Sequence, residues 1–501
     1  MAKESIYGSM DPETVKKFKS WQLRTIIVSM IGYAIYYFVR KNFSLAMPGL
    51  TAEYGISNAS FGIIIAISSM VYGFSRFVNG FVADRISART FMAIGLLLCA
   101  VANFAFGFGV DISYFLTGVK EGPQLVNMLV MVMGIAIIVN QAFQGIGYPP
   151  CARLLPHWIH PSELATKMSI WNTSHSIGAA FATIVCGYIM GHFGSNLSAN
   201  ADVIANVATN LGVDPSNAEG MQRVLSYASH YGAWKWCFWI PACIAVAGSI
   251  WLFFGLRDDP KSVGLPELPD TNTGKEGDKN NKQTHKKFLK EMVFCNRWVW
   301  TLCIANIFVY IVRMGILDWG PKFLTESRNM SITNAGWTVG AFEIFGIIGT
   351  IFAGWATDHI FKGKAHRMCV FCMLGAAIFM TVFRLLPIDT SMPITVITLA
   401  MGGFFIYGPQ ALIGIASANQ ATKKASATAN GLAGIFGYIG SSLSALGIGF
   451  LVDYVNAVSP GAGWGVVFVV IIGVSIIGMI VFLTMWKAPR DGYDKSQKIQ
   501  Y

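Results

Sequence analysis

Long apolar stretches recur along the chain, separated by short polar breaks. Twelve can be marked, near 23–49, 60–82, 91–109, 126–154, 166–193, 233–256, 298–324, 333–356, 367–387, 392–418, 426–453 and 463–486. Each is long enough to cross about 30 Å of hydrocarbon as a helix. None alternates with period two, so the spans are helices and not barrel strands. The pattern predicts an all-α membrane protein of about twelve transmembrane helices. Two polar stretches interrupt it. Residues 257–295, rich in Lys, Asp, Asn and Gly, predict a cytoplasmic linker. It would join a six-helix half at 1–256 to a second at 296–501, with Lys286, Lys287 and Lys290 on a short surface helix. Residues 194–232 form an Asn- and Ala-rich insert on the outer side, with one short helix expected.

Composition supports this picture. Apolar residues make up 54% of the 501 positions and charged ones 13%, and mean hydropathy is +0.51. The net charge of +11 would suit nucleic acid, but the cations concentrate in alternate loops. Lys16, Lys17, Lys19 and Arg24 precede the first span. Arg85 and Arg89 follow the second, Lys362, Lys364 and Arg367 the eighth, Lys423 and Lys424 the tenth, and Lys487, Arg490, Lys495 and Lys498 the last. Loops 51–59, 388–392 and 454–462 carry no Lys or Arg. Such asymmetry predicts cytoplasmic termini and a lipid bilayer, not a nucleic acid, as partner. The first twenty residues are too charged for the apolar core of a signal peptide. The nine cysteines lie mostly in apolar segments and are expected as free, buried thiols, with no metal site.

The candidate chemistry lies in the apolar segments. The chain reads Tyr37-Phe-Val-Arg40 in the first span and Tyr310-Ile-Val-Arg313 in the seventh, so each arginine shares a helix face with a tyrosine. A guanidinium in the bilayer costs about 2.5–3.5 kcal/mol and stays charged. It must face water, a counter-charge or an anionic ligand. Two arginines placed alike in two halves predict a binding site on a pseudo-symmetry axis. Arginine grips phosphate oxygens with a planar fork, and tyrosines add hydroxyls and ring faces suited to a sugar or glycerol moiety.

A second repeat lies in the loops. Gly80-Phe-Val-Ala-Asp84-Arg85-Ile-Ser-Ala-Arg89 follows the second span, and Gly354-Trp-Ala-Thr-Asp358-His359 follows the eighth. Each Asp can pair with a cation at a neighbouring helix end and hold one side shut, so Asp84, Arg85, Arg89 and Asp358 are gating candidates. This motif, with the six-plus-six layout, resembles the major facilitator superfamily. Within it, the chain resembles the organophosphate:phosphate antiporters. That resemblance rests on Tyr36-Tyr37-Phe-Val-Arg40-Lys41-Asn42-Phe43-Ser-Leu-Ala-Met-Pro48, Tyr72-Gly73-Phe74-Ser75-Arg76-Phe77, Trp171-Asn172-Thr-Ser-His175, Tyr310-Ile-Val-Arg313-Met-Gly315-Ile-Leu-Asp318-Trp319 and Tyr407-Gly408-Pro409-Gln410.

The resemblance implies a major facilitator fold in which Arg40 and Arg313 bind the substrate phosphate. It implies His175 and the cation Arg76 as helpers, with Tyr33, Tyr37, Tyr72, Tyr310 and Tyr407 lining the cavity. Arg76 departs from the family pattern, which has lysine there. The hexose-phosphate branch carries an Asp and a Lys in the eleventh span, where this chain has Asn430 and Ala433. Glu343 and Asp318 are expected to balance the cations as fixed ion pairs. The expected function is exchange of an organic phosphate (glucose 6-phosphate or glycerol 3-phosphate) for inorganic phosphate. The carrier is expected to be a cofactor-free monomer in a bacterial inner membrane. A sensor of external sugar phosphate that signals to a kinase is the alternative. No nucleophile-and-base set accompanies the arginines, so an enzyme is not expected.

Overall fold

The computed structural model describes residues 10–83, 85–194, 200–228, 230–268, 287–422 and 425–492. Among them it is helical, and twelve helical segments are long and apolar enough to cross a membrane. The last, Gly463–Thr484, differs from the sequence expectation only at its C-terminal end. The first begins earlier than expected, at Pro12. Its opening turns are charged and amphipathic, with Asp11 capping them through a bond from the Thr14 N–H.

The chain forms two compact units. Unit 1 comprises 1–46, 71–182 and 233–275, and unit 2 comprises 47–70, 183–232 and 276–501. In unit 1 the principal helices are α1 (Pro12–Lys41), the body of α3 (Asn58–Ala83), α4 (Ala88–Gly107), α6 (Pro123–Gln144), α7 (Pro149–Trp158), α8 (Pro161–Asn172) and α12 (Trp236–Gly255). The short α5 (Gly109–Thr117) lies between α4 and α6. Unit 2 holds α2 (Phe43–Tyr54) from Met47 onward, the start of α3, most of α9 (Ser174–Gly194), α10 (Ala201–Leu211) and α11 (Ala218–Ala228). It also contains α13 (Arg297–Arg328), α14 (Ile332–His359), α15 (Ala365–Leu385), α16 (Met392–Ala421), α17 (Ser426–Val458) and α18 (Gly463–Thr484).

Among its described residues the insert 194–232 therefore holds two helices rather than the expected one. They pair through Val203, Val207, Val224 and Tyr227, which bury against Ala52 of α2. The expected surface helix at Lys286–Lys290 is described only from Lys287, and a π-turn follows at Lys290–Phe294. Lys286, Lys423, Lys424, Lys495 and Lys498 lie outside the described residues. All nine cysteines are free. Cys243 and Cys295 are exposed, against the expectation of burial. Cys369 and Cys372 stand one turn apart on α15.

In lipid every backbone polar group needs an internal partner, and where the first span breaks at Asn42 those partners are side-chain amides. Asn42 Nδ2 donates to Asn103 Oδ1 (2.8 Å) and to the Cys237 carbonyl (2.9 Å). The Val39 carbonyl accepts from Asn103 Nδ2 (3.2 Å) and Asn140 Nδ2 (2.9 Å), and the Tyr36 carbonyl from Gln144 Nε2 (2.9 Å). These bonds pin the turn that carries Tyr37 and Arg40 to α4, α6 and α12.

Candidate functional site

In unit 1, Arg40 lies over the ring of Tyr72 at 3.8 Å and near that of Tyr37 at 5.3 Å. Both are cation–π contacts, which hold a charge without neutralising it. Tyr37 packs on Tyr33 (5.4 Å between ring centroids) and on His175 (5.6 Å). Tyr33 stacks on Trp171 at 4.9 Å, and Trp171 is fixed by its Nε1–H donating to Ser29 Oγ (3.0 Å). The structure thus brings Arg40, Tyr33, Tyr37, Tyr72 and His175 into one aromatic cluster. Tyr33 and Tyr72 are buried beneath it, while Arg40, Tyr37 and His175 are half-buried.

His175 Nδ1 meets the Asn172 carbonyl, and its Nε2 lies 3.2 Å from Ser176 Oγ. A carbonyl only accepts, so the bond at Nδ1 requires a proton there. In neutral His175 the Nε2 is then an acceptor from Ser176.

Arg76 lies one layer away, 4.3 Å over the ring of Tyr148. Tyr148 gets there because the chain turns at Gly145, where a Cβ would stand 2.8 Å from the Arg76 backbone nitrogen. A cavity of about 370 Å³ opens between Arg76, Tyr148 and Arg153. Trp171 as a stacking platform, Tyr148 and Arg153 are cluster members that the sequence reading did not assign to the site. Their only sequence signal is the placement of aromatic and cationic residues at span ends.

Unit 2 treats its arginine differently. Arg313 on α13 is only 5% exposed. Its Nη2 donates to Tyr407 Oη on α16 (3.0 Å), and its guanidinium lies over the Tyr407 ring at 4.4 Å. Glu343 on α14, fully buried, places a carboxylate oxygen 3.9 Å from the same Nη2, and Tyr407 interacts with both charges. Glu343 thus supplies the fixed counter-charge that was expected. Tyr310 is also near Arg313 and packs edge-on to Tyr438 at 6.0 Å. Asp318 is half-buried and sits outside the Arg313–Glu343 pair.

Lys322, nine residues beyond Arg313 and fully buried, is a charge the sequence reading passed over. It pairs with Glu326 (3.2 Å), donates to Thr51 Oγ1, and lies 5.0 Å from the Phe61 ring. Glu326 in turn accepts from Trp464 Nε1. The i,i+4 spacing of Lys322 and Glu326 was the available signal. Asp453 on α17 likewise accepts from the N–H groups of Asn58 and Ala59 and so caps α3. Both devices satisfy polar groups at one end of unit 2.

Of the gating candidates, Asp84 lies outside the described residues. Arg85 is exposed. Arg89 presents its backbone N–H to Asp258 (2.9 Å) and its guanidinium to the Phe253 ring (4.8 Å). Arg153 donates to the carbonyls of Ala83 and Ile86, spanning the turn that carries the motif. Asp358 is exposed at the end of α14.

The profile of the Major Facilitator Superfamily matches residues 29–445 and again 302–500. The chain belongs to that superfamily. It is 35% identical to the glycerol-3-phosphate transporter of Bacillus subtilis, covering 94% of each chain. It is 32% identical to a probable hexose phosphate transport protein of Chlamydia trachomatis, over 97% of this chain and 95% of that one. With the membrane sensor protein UhpC of Escherichia coli it shares 29% identity over 95% of each. Among solved structures, an inward-facing bacterial homologue of the human lysosomal transporter Spinster matches with a TM-score of 0.68 at 14% identity, over 93% of this chain and 96% of that one. That likeness supports the fold alone.

Proposed function

We propose that the protein carries organic phosphates across the membrane in exchange for inorganic phosphate. The observation that carries this reading is the pair of arginines at matched sequence positions, each held by tyrosines inside a membrane helix. Relatives named as glycerol-3-phosphate and hexose phosphate transporters support phosphate esters as the cargo. In the loaded carrier the phosphate group engages Arg40 and Arg313, with His175 and Arg76 as auxiliary cations and the tyrosines around the organic part. Empty, the two cations disfavour closure. A bound dianion neutralises them, so reorientation is easy only when loaded, which makes exchange obligatory. Inorganic phosphate and a phosphate monoester both meet that condition. On this reading the carrier is a monomer with cytoplasmic termini, built from two pseudo-symmetric halves joined at 257–295, and the loop motif with Asp84, Arg85, Arg89 and Asp358 gates one side.

The test is counterflow into liposomes. Rapid uptake of labelled glycerol 3-phosphate or glucose 6-phosphate is expected with phosphate inside and little uptake without it. Equal uptake in both would overturn antiport. Tight binding with no flux would favour a sensor.

A further inference from the structure

The insert that follows the fifth span helps to build a cavity within unit 2. Its helices α10 and α11 dock on the end of α2. Asn210 Nδ2 donates to the Ala52 and Glu53 carbonyls (3.0 Å each), and Glu53 Oε2 accepts from the Gly232 N–H (3.0 Å). These bonds fix the turn after α11 and place His230, which is only 1% exposed. His230 lines a cavity of about 430 Å³ together with Tyr188 and His192 of α9 and Ser331, Ile332 and Thr333 at the start of α14. His192 stacks flat on Tyr188, with ring centroids 6.0 Å apart.

Three features give this cavity an anion's chemistry. First, α14 is a 28-residue helix, and its N-terminus faces the space. The first N–H groups of a helix have no intrahelical acceptor and carry partial positive charge. Ser331 Oγ caps the Asn334 N–H, and the N–H groups of Ile332 and Thr333, in the first turn, have no intrahelical acceptor. Second, His230 Nδ1 is buried without a hydrogen-bond partner among the described residues. An orphaned buried nitrogen is costly, and in the tautomer with the proton on Nδ1 it would donate a hydrogen bond to an oxyanion entering the cavity. Third, no Asp or Glu lines the space among the described residues, so a metal cation would meet there two imidazoles, a helix N-terminus and no carboxylate. An anion would meet the imidazoles of His230 and His192 and the start of the helix.

We propose that this cavity binds the phosphate group of free inorganic phosphate or a phosphate monoester, at a station built from none of the residues of the arginine clusters. The choice of phosphate over other oxyanions rests on the proposed function; the anion site itself does not. His230 and the α14 N–H groups would hold the oxygens, and the more exposed His192 would add a charge-assisted bond when protonated.

The test uses the full chain in nanodiscs of zwitterionic lipid, with labelled inorganic phosphate and labelled glycerol 3-phosphate as probes. The variant Arg40→Lys/Arg313→Lys removes the arginine forks. It is expected to keep saturable binding of about one phosphate per chain. Adding His192→Glu should weaken that residual binding on the order of tenfold or more, because it sets a carboxylate against the anion. His192 is exposed, so this substitution spares the fold and carries the test. His230→Phe, which removes both ring nitrogens, is expected to abolish the residual binding. Loss of all binding in the double arginine variant would overturn the proposal. So would residual binding indifferent to His192→Glu. In a parallel set of nanodiscs doped with phosphatidylglycerol, displacement of the free probes would make a lipid headgroup the ligand and also defeat it. If wild type shows no exchange yet binds phosphate in a His192-sensitive way, the transport reading fails and this site stands.

Discussion

Arg40 and Arg313 occupy matched sequence positions and live in different electrostatic surroundings. Arg40 is half-buried and lies against the faces of Tyr37 and Tyr72. Arg313 is buried, hydrogen-bonded to Tyr407, with Glu343 3.9 Å away. Ring faces stabilise a cation by about 0.5–2 kcal/mol and leave its charge to be used. A carboxylate in a low-dielectric setting cancels much of that charge. A pseudo-symmetric pair thus need not be functionally equal. On the proposed function, an anion reaching Arg313 must compete with Glu343, whose carboxylate oxygen lies 3.9 Å from its Nη2.

The largest expected effect comes from changing the forks themselves. Arg40→Lys and Arg313→Lys should each lower exchange by about a hundredfold or more, since lysine keeps the charge and loses bidentate geometry. Both proteins should still insert. Removing the charge separates the two sites. Arg313→Ala takes the paired cation away from the fully buried Glu343 and should cost about 3–5 kcal/mol of stability, whereas Arg40→Ala, at a half-buried position, should cost less. Thermal unfolding in detergent measures this, and Glu343→Gln should restore much of what Arg313→Ala loses. Equal destabilisation by the two alanines would remove the distinction, and near-normal exchange by either lysine variant would take that arginine out of the site.

Next in size is Glu343→Gln alone. It frees Arg313 from its competitor, so affinity for phosphate should rise by about three- to tenfold while turnover falls, because release now breaks a stronger pair. Equilibrium binding and the maximal exchange rate should therefore move in opposite senses. Weaker binding in this variant would show that Glu343 positions Arg313 for the ligand and does not compete with it.

How much of this arrangement could be seen in the sequence depends on which interaction decides each feature. Hydropathy placed Gly463–Thr484 and Ile332–His359 to within a few residues, because both ends coincide with a change from apolar to polar chain. It missed the start of the first span at Pro12, where amphipathic turns continue the helix beyond the apolar stretch. It also missed the pairing of α10 with α11, since eleven-residue amphipathic helices signal by moment and not by mean hydropathy. The arginines were legible because a charge in an apolar run is rare. Their partners were not. Nothing in the local sequence says that Tyr407 meets Arg313, that Tyr148 meets Arg76, or that Trp171 floors Tyr33. Those pairs are set by helices far apart in the chain.

A finer comparison sets the two tyrosines against each other. Tyr407 serves Arg313 with both its hydroxyl and its ring, and Tyr72 meets Arg40 through its ring. Phenylalanine keeps the ring and deletes the hydroxyl. Tyr407→Phe should therefore weaken phosphate binding by about three- to tenfold, the net worth of a typical hydrogen bond. Tyr72→Phe should change it less than about twofold, because the cation–π face is retained. Half-saturation of phosphate self-exchange in each variant gives the answer. A large loss in Tyr72→Phe would mean that its hydroxyl contacts the ligand.

The smallest effect is expected at His175, and it would show whether the Arg40 cluster responds to the charge of its ligand. Its Nδ1 is committed to the Asn172 carbonyl, so a second proton must enter at Nε2. That proton turns Nε2 from an acceptor of the Ser176 hydroxyl into a donor. An unperturbed imidazole titrates near pH 6.5 and a phosphate monoester near pH 6. A bound dianion can accept from Nε2 only when that nitrogen carries a proton, so the neutral ring with its proton on Nδ1 cannot serve it there. As pH falls from roughly 7.5 towards 6, protonated His175 becomes available for the ligand, but the ligand itself becomes a monoanion. Affinity should then pass through a shallow optimum between those values in wild type. A glutamine amide can donate at any pH, so His175→Gln should weaken binding only a few-fold, about 1 kcal/mol, and flatten the optimum. The pH profile of phosphate self-exchange in the two proteins decides it. Identical profiles and affinities would leave His175 as the packing partner of Tyr37, with Arg40 acting on the anion without its help.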